Sequence, residues 1–138
     1  MINWDRVRRQ IERDEDRRRR PYRCKAGKLT VGVGRNLEGK DLSNAVIDLM
    51  FREDLESALQ DCMRVFEPWP TLSDSRKEAL IEMMFQLGAV SVLGFKDMIA
   101  AMERGDHEGV ADAMLDSKWH RFDTPLRAKR VAEKYRRG

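Results

Sequence analysis

The chain has 138 residues, of which 41% are hydrophobic and 37% charged, a balance that indicates a folded domain and excludes a disordered one. Lysine and arginine outnumber aspartate and glutamate by 27 to 24, an excess that attracts anionic polymers without choosing among nucleic acid, wall polymers and membranes. The two cysteines lack CxxC spacing and no apolar run approaches the length of a membrane span, so we expect neither a disulfide framework nor a transmembrane segment.

The first predicted element is an amphipathic helix. Three apolar residues recur at helical spacing near the N-terminus: Trp4, Val7 and Ile11. Asn3 precedes them as a plausible N-cap, and the pattern predicts that the helix ends within residues 12–16. The acidic residues of this stretch therefore fall at the C-terminus of the helix.

A small sheet should follow. Pro21 ends helical propensity, and apolar residues alternate with polar ones over residues 22–33, on either side of a turn at 25–28. This pattern predicts a hairpin that places Cys24 and Thr30 on adjacent strands.

The remaining residues predict helices. Behind Ser43 as N-cap, apolar residues recur with a period near 3.6 over residues 44–66 and predict one long helix. The next helix begins at Ser73 or Ser75, is apolar nearly all round and should be the buried central helix, with Gly88 as its C′ residue. Shorter helices are predicted over residues 96–104, 107–116 and 126–135, the last behind Thr124 and Pro125.

Several kinds of site lack their required residues. His107 and His120 are the only histidines, and neither has a spaced Cys or His partner, so we expect no metal site. The segment TVGVGRN at residues 30–36 lacks both the third glycine of a dinucleotide fingerprint and the Gly-Lys-Ser/Thr of a P-loop. We therefore expect no cofactor.

What remains is Glu15, followed nine positions later by Cys24 and six positions after that by Thr30. This spacing alone is a weak signal, but the residues around it resemble the catalytic segment of phage T4-type lysozymes. In that family a Glu, eight residues, an Asp or Cys, five residues and a Thr precede an apolar-Gly-apolar-Gly run. Further matches follow in the family's order and extend the resemblance over residues 12–136: MMFQLG at 83–88, GF at 94–95, SKW at 117–119 and TPLRAKR at 124–130.

The resemblance implies an α+β, mainly α fold of two lobes, with a small antiparallel sheet and a long helix between the lobes. One lysozyme-like domain would span residues 1–138. Its sheet-containing lobe would cover approximately residues 13–60, and its helical lobe residues 1–12 with 61–138.

The family's catalytic roles fall on three residues. Glu15 matches the general acid, Cys24 matches the second catalytic group, where Asp is commoner, and Thr30 matches the hydroxyl that helps to hold the attacking water. Glycoside cleavage needs such a pair, because one group must protonate the leaving oxygen while another stabilises positive charge or activates a nucleophile. We expect Glu15 to be partly buried, because a glutamate stays protonated near neutral pH only when it is shielded from water.

Three further residues match positions around the family's site. Arg127 falls where a guanidinium orients the acid, while Phe85 and Gln86 fall where the central helix borders the sugar cleft. From the residues alone, Phe85 fits the core equally well, whereas Gln86 is an amide in a very apolar helix and needs a partner.

The substitution of Cys for the commoner Asp leaves three interpretations open. Cys24 acts as base or nucleophile; or Glu15 and Thr30 carry a reduced activity without it; or the site is degenerate and the fold only binds glycan. The first interpretation follows from the family's Asp-or-Cys pattern.

The resemblance implies a muramidase that hydrolyses the β-1,4 bond between N-acetylmuramic acid and N-acetylglucosamine, with peptidoglycan glycan strands as partner and no nucleic acid. We expect a monomer that is made in a host cytoplasm and reaches periplasmic peptidoglycan after holin-type release, or by delivery from a virion. A basic nucleic-acid-binding helical domain is the alternative of another class, suggested by Arg17–Arg20 and the tail RAKRVAEKYRRG at residues 127–138.

Overall fold

The computed structural model describes every residue from Met1 to Gly138. Its elements confirm a mainly helical α+β fold with one small antiparallel sheet. In chain order they are α1 (Trp4–Glu15), β1 (Arg18–Arg23), β2 (Leu29–Gly32), β3 (Arg35–Asn36), α2 (Asn44–Val65), a 3-10 turn (Trp69–Thr71), α3 (Asp74–Leu93), α4 (Lys96–Glu103), α5 (His107–Leu115), a π-helix (Trp119–Asp123) and α6 (Pro125–Arg137). The chain divides into two units, Met1–Ile47 and Asp48–Gly138.

Helix α1 begins and ends where the sequence predicts. The Asn3 side chain caps it by accepting a hydrogen bond of 3.0 Å from the backbone N–H of Arg6, which satisfies one of the free donors of the first turn. Glu15 is its last residue, and no residue of the helix is buried. The chain then turns sharply into β1 through Asp16, the only residue other than glycine with a positive φ, 69°.

The three strands form an antiparallel sheet in the order β1-β2-β3. Arg18 pairs with Gly32 and Tyr22 with Thr30, so that three residues of β1 stand opposite Val31 alone and form a bulge. The predicted hairpin is confirmed, but the position of Cys24 is corrected. Cys24 lies one residue beyond β1, at the start of the turn, because its carbonyl accepts from the N–H of Gly27 and closes the turn there.

The long helix α2 is confirmed within one residue of its predicted end. The Ser43 hydroxyl accepts from the N–H of Val46 at 3.3 Å, as an N-cap should. Cys62 on this helix is fully buried, and burial raises the pKa of its thiol to about 12. That cysteine is therefore a packing residue and not a reactive one.

Helix α3 supplies the centre of the core, as the sequence predicts. Its cap is Ser73 and not Ser75, since the Ser73 hydroxyl accepts from the N–H of Arg76. Gly88, at φ 78°, breaks the helix at the predicted C′ position, although a further helical turn runs on to Leu93. The larger buried side chains of this core are Phe66, Leu80, Met83, Val92, Met98, Val110, Met114, Trp119, Val131 and Tyr135.

Helices α4 to α6 complete the unit Asp48–Gly138. Helix α6 packs against α3 and α5 and is tied to α3 by ion pairs. Glu82 bonds to Arg130 at 2.5 Å and to Lys134 at 3.2 Å, and the Arg130 bond in particular lowers the pKa of Glu82. No single helix of the chain is long and apolar enough to cross a membrane, although α3 and α4, bent by 98°, meet the test of length and composition as a pair.

A contact between two aromatic side chains joins α5 to α6, in addition to the ion pairs of Arg136 with Glu108 and Asp112. Nδ1 of His107 lies 3.1 Å from the hydroxyl of Tyr135, whose ring is fully buried. Burial raises the pKa of Tyr135 to about 12, so the hydroxyl keeps its proton and can donate a hydrogen bond to an unprotonated Nδ1. When His107 is protonated, Nδ1 carries a hydrogen and the contact then needs the tyrosine oxygen as acceptor. Burial, and then the nearby Arg76 cation, lower the pKa of His107, against a raising effect of Asp106.

We expect this contact to make stability pH-dependent. The folded-state pKa of His107 lies below the ordinary value of about 6.5, so on acidification the unfolded chain binds a proton first. The stabilisation should be complete above about pH 6.5 and should be lost as the pH falls through the folded-state pKa. Urea unfolding of wild type and His107→Gln between pH 5 and 8 measures this, with His120→Gln as the control that keeps the dependence. If the free energy of unfolding changed equally with pH in wild type and in His107→Gln, the prediction would be contradicted.

Candidate active site

Glu15 closes the C-terminus of α1 and rests on the glycine-rich end of the sheet. A Cβ atom placed on Gly34 would lie 2.8 Å from Oε2 and 2.9 Å from Cδ of Glu15, closer than real side-chain carbons approach. Gly34 also has a φ of 65°, which disfavours any other residue. Glycine is therefore required at position 34 both for the backbone and for the seat of the carboxyl group.

The residue after Glu15 is held in an unfavourable conformation. Asp16 has φ 69° and ψ 163°, a region that costs a residue with a side chain on the order of 1–3 kcal/mol. Its carboxylate accepts from the N–H of Arg17 at 3.1 Å and lies 3.8 Å from the guanidinium of Arg18, which offsets part of that cost. The strain fixes the direction in which the chain leaves Glu15.

The turn that carries Cys24 is closed by two backbone bonds. The N–H of Cys24 donates to the carbonyl of Lys28 at 3.0 Å, and the N–H of Gly27 donates to the carbonyl of Cys24 at 2.8 Å. Gly27, at φ 77°, provides the left-handed position that the turn needs. The Cys24 side chain is half-buried, so the thiol remains accessible.

The same turn favours the ionised form of the thiol. The pKa of Cys24 is lowered mainly by the backbone N–H of Lys28, then by that of Ala26, and to a smaller extent by the hydroxyl of Thr30, while desolvation opposes them. Backbone N–H groups directed at sulfur stabilise a thiolate without any cationic side chain.

Thr30 is the most buried polar residue of this site, with 4% of its surface exposed. Its hydroxyl donates to the carbonyl of Lys28 at 2.8 Å. A hydroxyl has one proton and two lone pairs, so while it bonds to Lys28 its oxygen can still accept a hydrogen bond. It can donate to Cys24 only by leaving Lys28.

The amide of Gln86 finds its partners inside the protein. Its Oε1 accepts from the indole N–H of Trp119 at 3.1 Å, and its Nε2 donates to the hydroxyl of Thr124 at 2.9 Å. Thr124 is the N-cap of α6 and Pro125 its first residue, as the sequence predicts, but the Thr124 side chain makes no capping hydrogen bond. Gln86 retains one N–H and one lone pair for a ligand, and its substrate-binding role stays a prediction.

Phe85 and Arg127 differ in the contacts that they make with other side chains of Asp48–Gly138. Phe85 is 39% exposed and meets the ring of Phe51 edge-on at 5.6 Å. Arg127 is half-buried on α6 and forms no ion pair in its own unit. Its guanidinium is therefore available to a carboxylate or to a ligand.

The structure brings together Glu15 with Gly34 and Cys24 with Thr30, all within Met1–Ile47. The prediction that Glu15 is partly buried is wrong, because its side chain is exposed. The seat at Gly34 and the strained backbone of Asp16 are two features that the sequence does not predict. The VGVG run could have indicated the close approach at Gly34, whereas nothing in the sequence indicates the strain at Asp16. No group of three or more His, Cys, Asp or Glu residues is arranged to hold a metal ion.

Comparison with known proteins adds a family match. The Phage lysozyme family model matches residues 12–133. The chain is 34% identical over 108 residues to the pre-baseplate central spike protein Gp5 of Enterobacteria phage T4, an alignment that covers 75% of this chain but only 19% of that protein. It is 29% identical to the probable T4-type lysozyme 1 of Dictyostelium discoideum, with 88% of each chain covered, and 24% identical to the probable T4-type lysozyme 2 of that organism, with 93% of this chain and 92% of that protein covered.

We expect Gly34→Ala to lower peptidoglycan-lytic activity roughly 10- to 100-fold, because the new methyl group displaces the Glu15 carboxyl from its seat. Gly32→Ala is the matched control, since Gly32 has a similar φ of 68° but no atom within 4 Å of its added Cβ. Rates are compared at a temperature where circular dichroism shows both variants folded. Equal losses in the two variants would mean that backbone strain alone is responsible.

Proposed function

Because the chain belongs to the phage lysozyme family, we propose that it hydrolyses the β-1,4 bond between N-acetylmuramic acid and N-acetylglucosamine in peptidoglycan. Family membership supports a peptidoglycan-lytic glycoside hydrolase at the level of the family. The observation that carries the finer proposal is the hairpin itself: a thiol whose pKa is lowered by its own turn, next to a buried threonine hydroxyl, at the family's spacing from a glutamate.

Glu15 is the proposed general acid. It donates a proton to the bridging oxygen as the glycosidic bond breaks, while positive charge develops on the sugar ring. Since Glu15 is exposed, we propose that the bound glycan excludes water and keeps the carboxyl group protonated. Arg127, unpaired within its unit, is proposed to orient that carboxyl group.

Cys24 is proposed to act as the base that activates water. While the Thr30 hydroxyl donates to Lys28, its oxygen accepts a hydrogen bond from that water and holds it beside the sulfur. The thiolate then takes the second proton as the water oxygen attacks the anomeric carbon opposite to the leaving group. This route inverts the anomeric centre, whereas direct attack by sulfur would retain it.

Two routes to the substrate are proposed. One is synthesis in a host cytoplasm followed by holin-type release to periplasmic peptidoglycan and lysis of the host. The other is delivery with a virion, which gains support from the similarity to a phage spike protein, although the chain spans only 19% of that protein's length.

We expect Glu15→Gln to lower the release of reducing ends from purified peptidoglycan on the order of 10²- to 10⁴-fold. The amide keeps the shape of the side chain but cannot donate the proton. Glu12→Gln, three residues earlier on the same exposed helix, is the control and should stay near wild type. A loss below tenfold for Glu15→Gln would rule out the general-acid role.

The chemistry of position 24 is tested by two substitutions. Cys24→Ser should lower the rate on the order of 10²-fold or more, because a serine hydroxyl does not ionise near neutral pH. Cys24→Asp should retain activity and move the acidic limb of its pH profile to lower pH, since a carboxyl group ionises below a thiol.

Full activity of Cys24→Ser would make the thiol a bystander. The anomer first released, followed by NMR during early hydrolysis, decides between base and nucleophile. An α-anomer supports the water-activating role, and a β-anomer refutes it.

A further inference from the structure

Four consecutive arginines, Arg17–Arg20, lie at the start of the edge strand β1. They differ in the groups that neutralise their charge. Arg17 pairs with Glu12 at 2.7 Å. Arg18 lies 3.8 Å from Asp16 and stacks on the ring of Tyr22 at 4.4 Å. Arg19 and Arg20 have no carboxylate within 4.0 Å. The positive charge that is free to act on a partner is therefore concentrated at residues 19 and 20.

Arg19 and Arg20, which carry this charge, lie in the bulge of β1. Residues 19–21 stand opposite a single residue of β2, so they cannot all pair with the sheet, and Pro21 has no N–H to offer. Together with Arg18 and Tyr22 they line a shallow concave surface, and both Arg19 and Arg20 are exposed. An arginine pair on such a surface can bind planar anions with two hydrogen bonds each.

We propose that Arg19 and Arg20 bind the free carboxylates of peptidoglycan stem peptides and so position the glycan strand for cleavage. This inference rests on the proposed function, which supplies a substrate that carries carboxylates at every peptide-bearing disaccharide. The arginines recognise charge on the peptides, whereas Glu15, Cys24 and Thr30 act on the sugars.

Two observations favour carboxylates of the substrate over nucleic acid as the occupant. Tyr22, the only aromatic residue at this surface, is half-buried and covered by the Arg18 guanidinium, so no ring is free to stack on a base. The arginines also lie in the same unit as the proposed catalytic hairpin, where a substrate strand has to pass.

The distance along β1 sets what these arginines can do. Cys24 lies four positions after Arg20, which is at most about 13 Å along a fully extended chain. A carboxylate bound at Arg20 therefore comes from a stem peptide on a neighbouring part of the glycan, and not from the sugars at the bond being cleaved. The pair should act on binding, so that its removal raises KM and leaves kcat nearly unchanged.

The test uses the full chain and purified sacculi. Arg19→Gln/Arg20→Gln is compared with Lys129→Gln/Arg137→Gln, which removes the same charge at two exposed sites of α6 that form no ion pair. We expect the first variant to raise the apparent KM roughly threefold to tenfold at about 0.1 M salt, with an unchanged kcat, and the control to stay within about twofold. Thermal unfolding of both variants excludes a folding defect.

A second arm changes the substrate. In these sacculi the carboxyl groups have been converted to amides. On them the KM of wild type should rise to that of the arginine variant, and the KM of the variant should not change. Wild-type KM in the arginine variant, or equal KM values of wild type on native and amidated sacculi, would overturn the inference. Loss of binding to duplex DNA or polyphosphate without any effect on sacculi would overturn it as well.

Sedimentation with sacculi separates this inference from the proposed function. In a Glu15→Gln background the sacculi are not expected to be cleaved, and the arginine pair should still increase the bound fraction. Binding that depends on the arginines, together with cleavage that does not depend on Glu15, would defeat the proposed mechanism and leave the inference standing.

Discussion

The carboxyl group of Glu15 lies against the backbone of Gly34, and the structure of Met1–Ile47 is organised around that approach. A side chain at position 34 would collide with the carboxyl group, and the backbone there has a positive φ. The helix that carries Glu15 ends immediately afterwards, and the chain leaves it through the strained Asp16. Backbone freedom at Gly34 and backbone strain at Asp16 together place a single side chain, which is how folds commonly hold a reactive group.

The hairpin shows how a thiol can replace a carboxylate in such a site. A cysteine needs help to ionise, and here the help comes from backbone N–H groups of a tight turn and not from a neighbouring cation. Those donors are fixed by the same two bonds that close the turn. The second cysteine provides the contrast, since Cys62 is buried in the core and its pKa is raised to about 12. Environment, and not residue type, separates the two thiols.

The larger unit, Asp48–Gly138, uses polar contacts to fix its helices. Gln86 joins the π-helix at Trp119 to Thr124 at the start of α6, while His107 and Tyr135 join α5 to α6. Each polar side chain in these contacts meets a hydrogen-bond partner, as an apolar core demands. Gln86 illustrates why an amide in an apolar helix is an ambiguous signal: its need for a partner was evident from the sequence, whereas the identity of that partner was not.

The sequence alone determined the helix positions, the hairpin and the spacing of Glu15, Cys24 and Thr30, because periodicity, caps and turn residues act over a few neighbouring positions. Asn3, Ser43 and Gly88 act at the ends or breaks that they predicted. Only the tertiary structure decided that Gly34 seats the Glu15 carboxyl, that Cys24 belongs to the turn and not to the strand, and that Gln86 bonds to Trp119 and Thr124. These features depend on close approach between residues distant in sequence or on the exact closure of a turn, and local patterns contain no information about either.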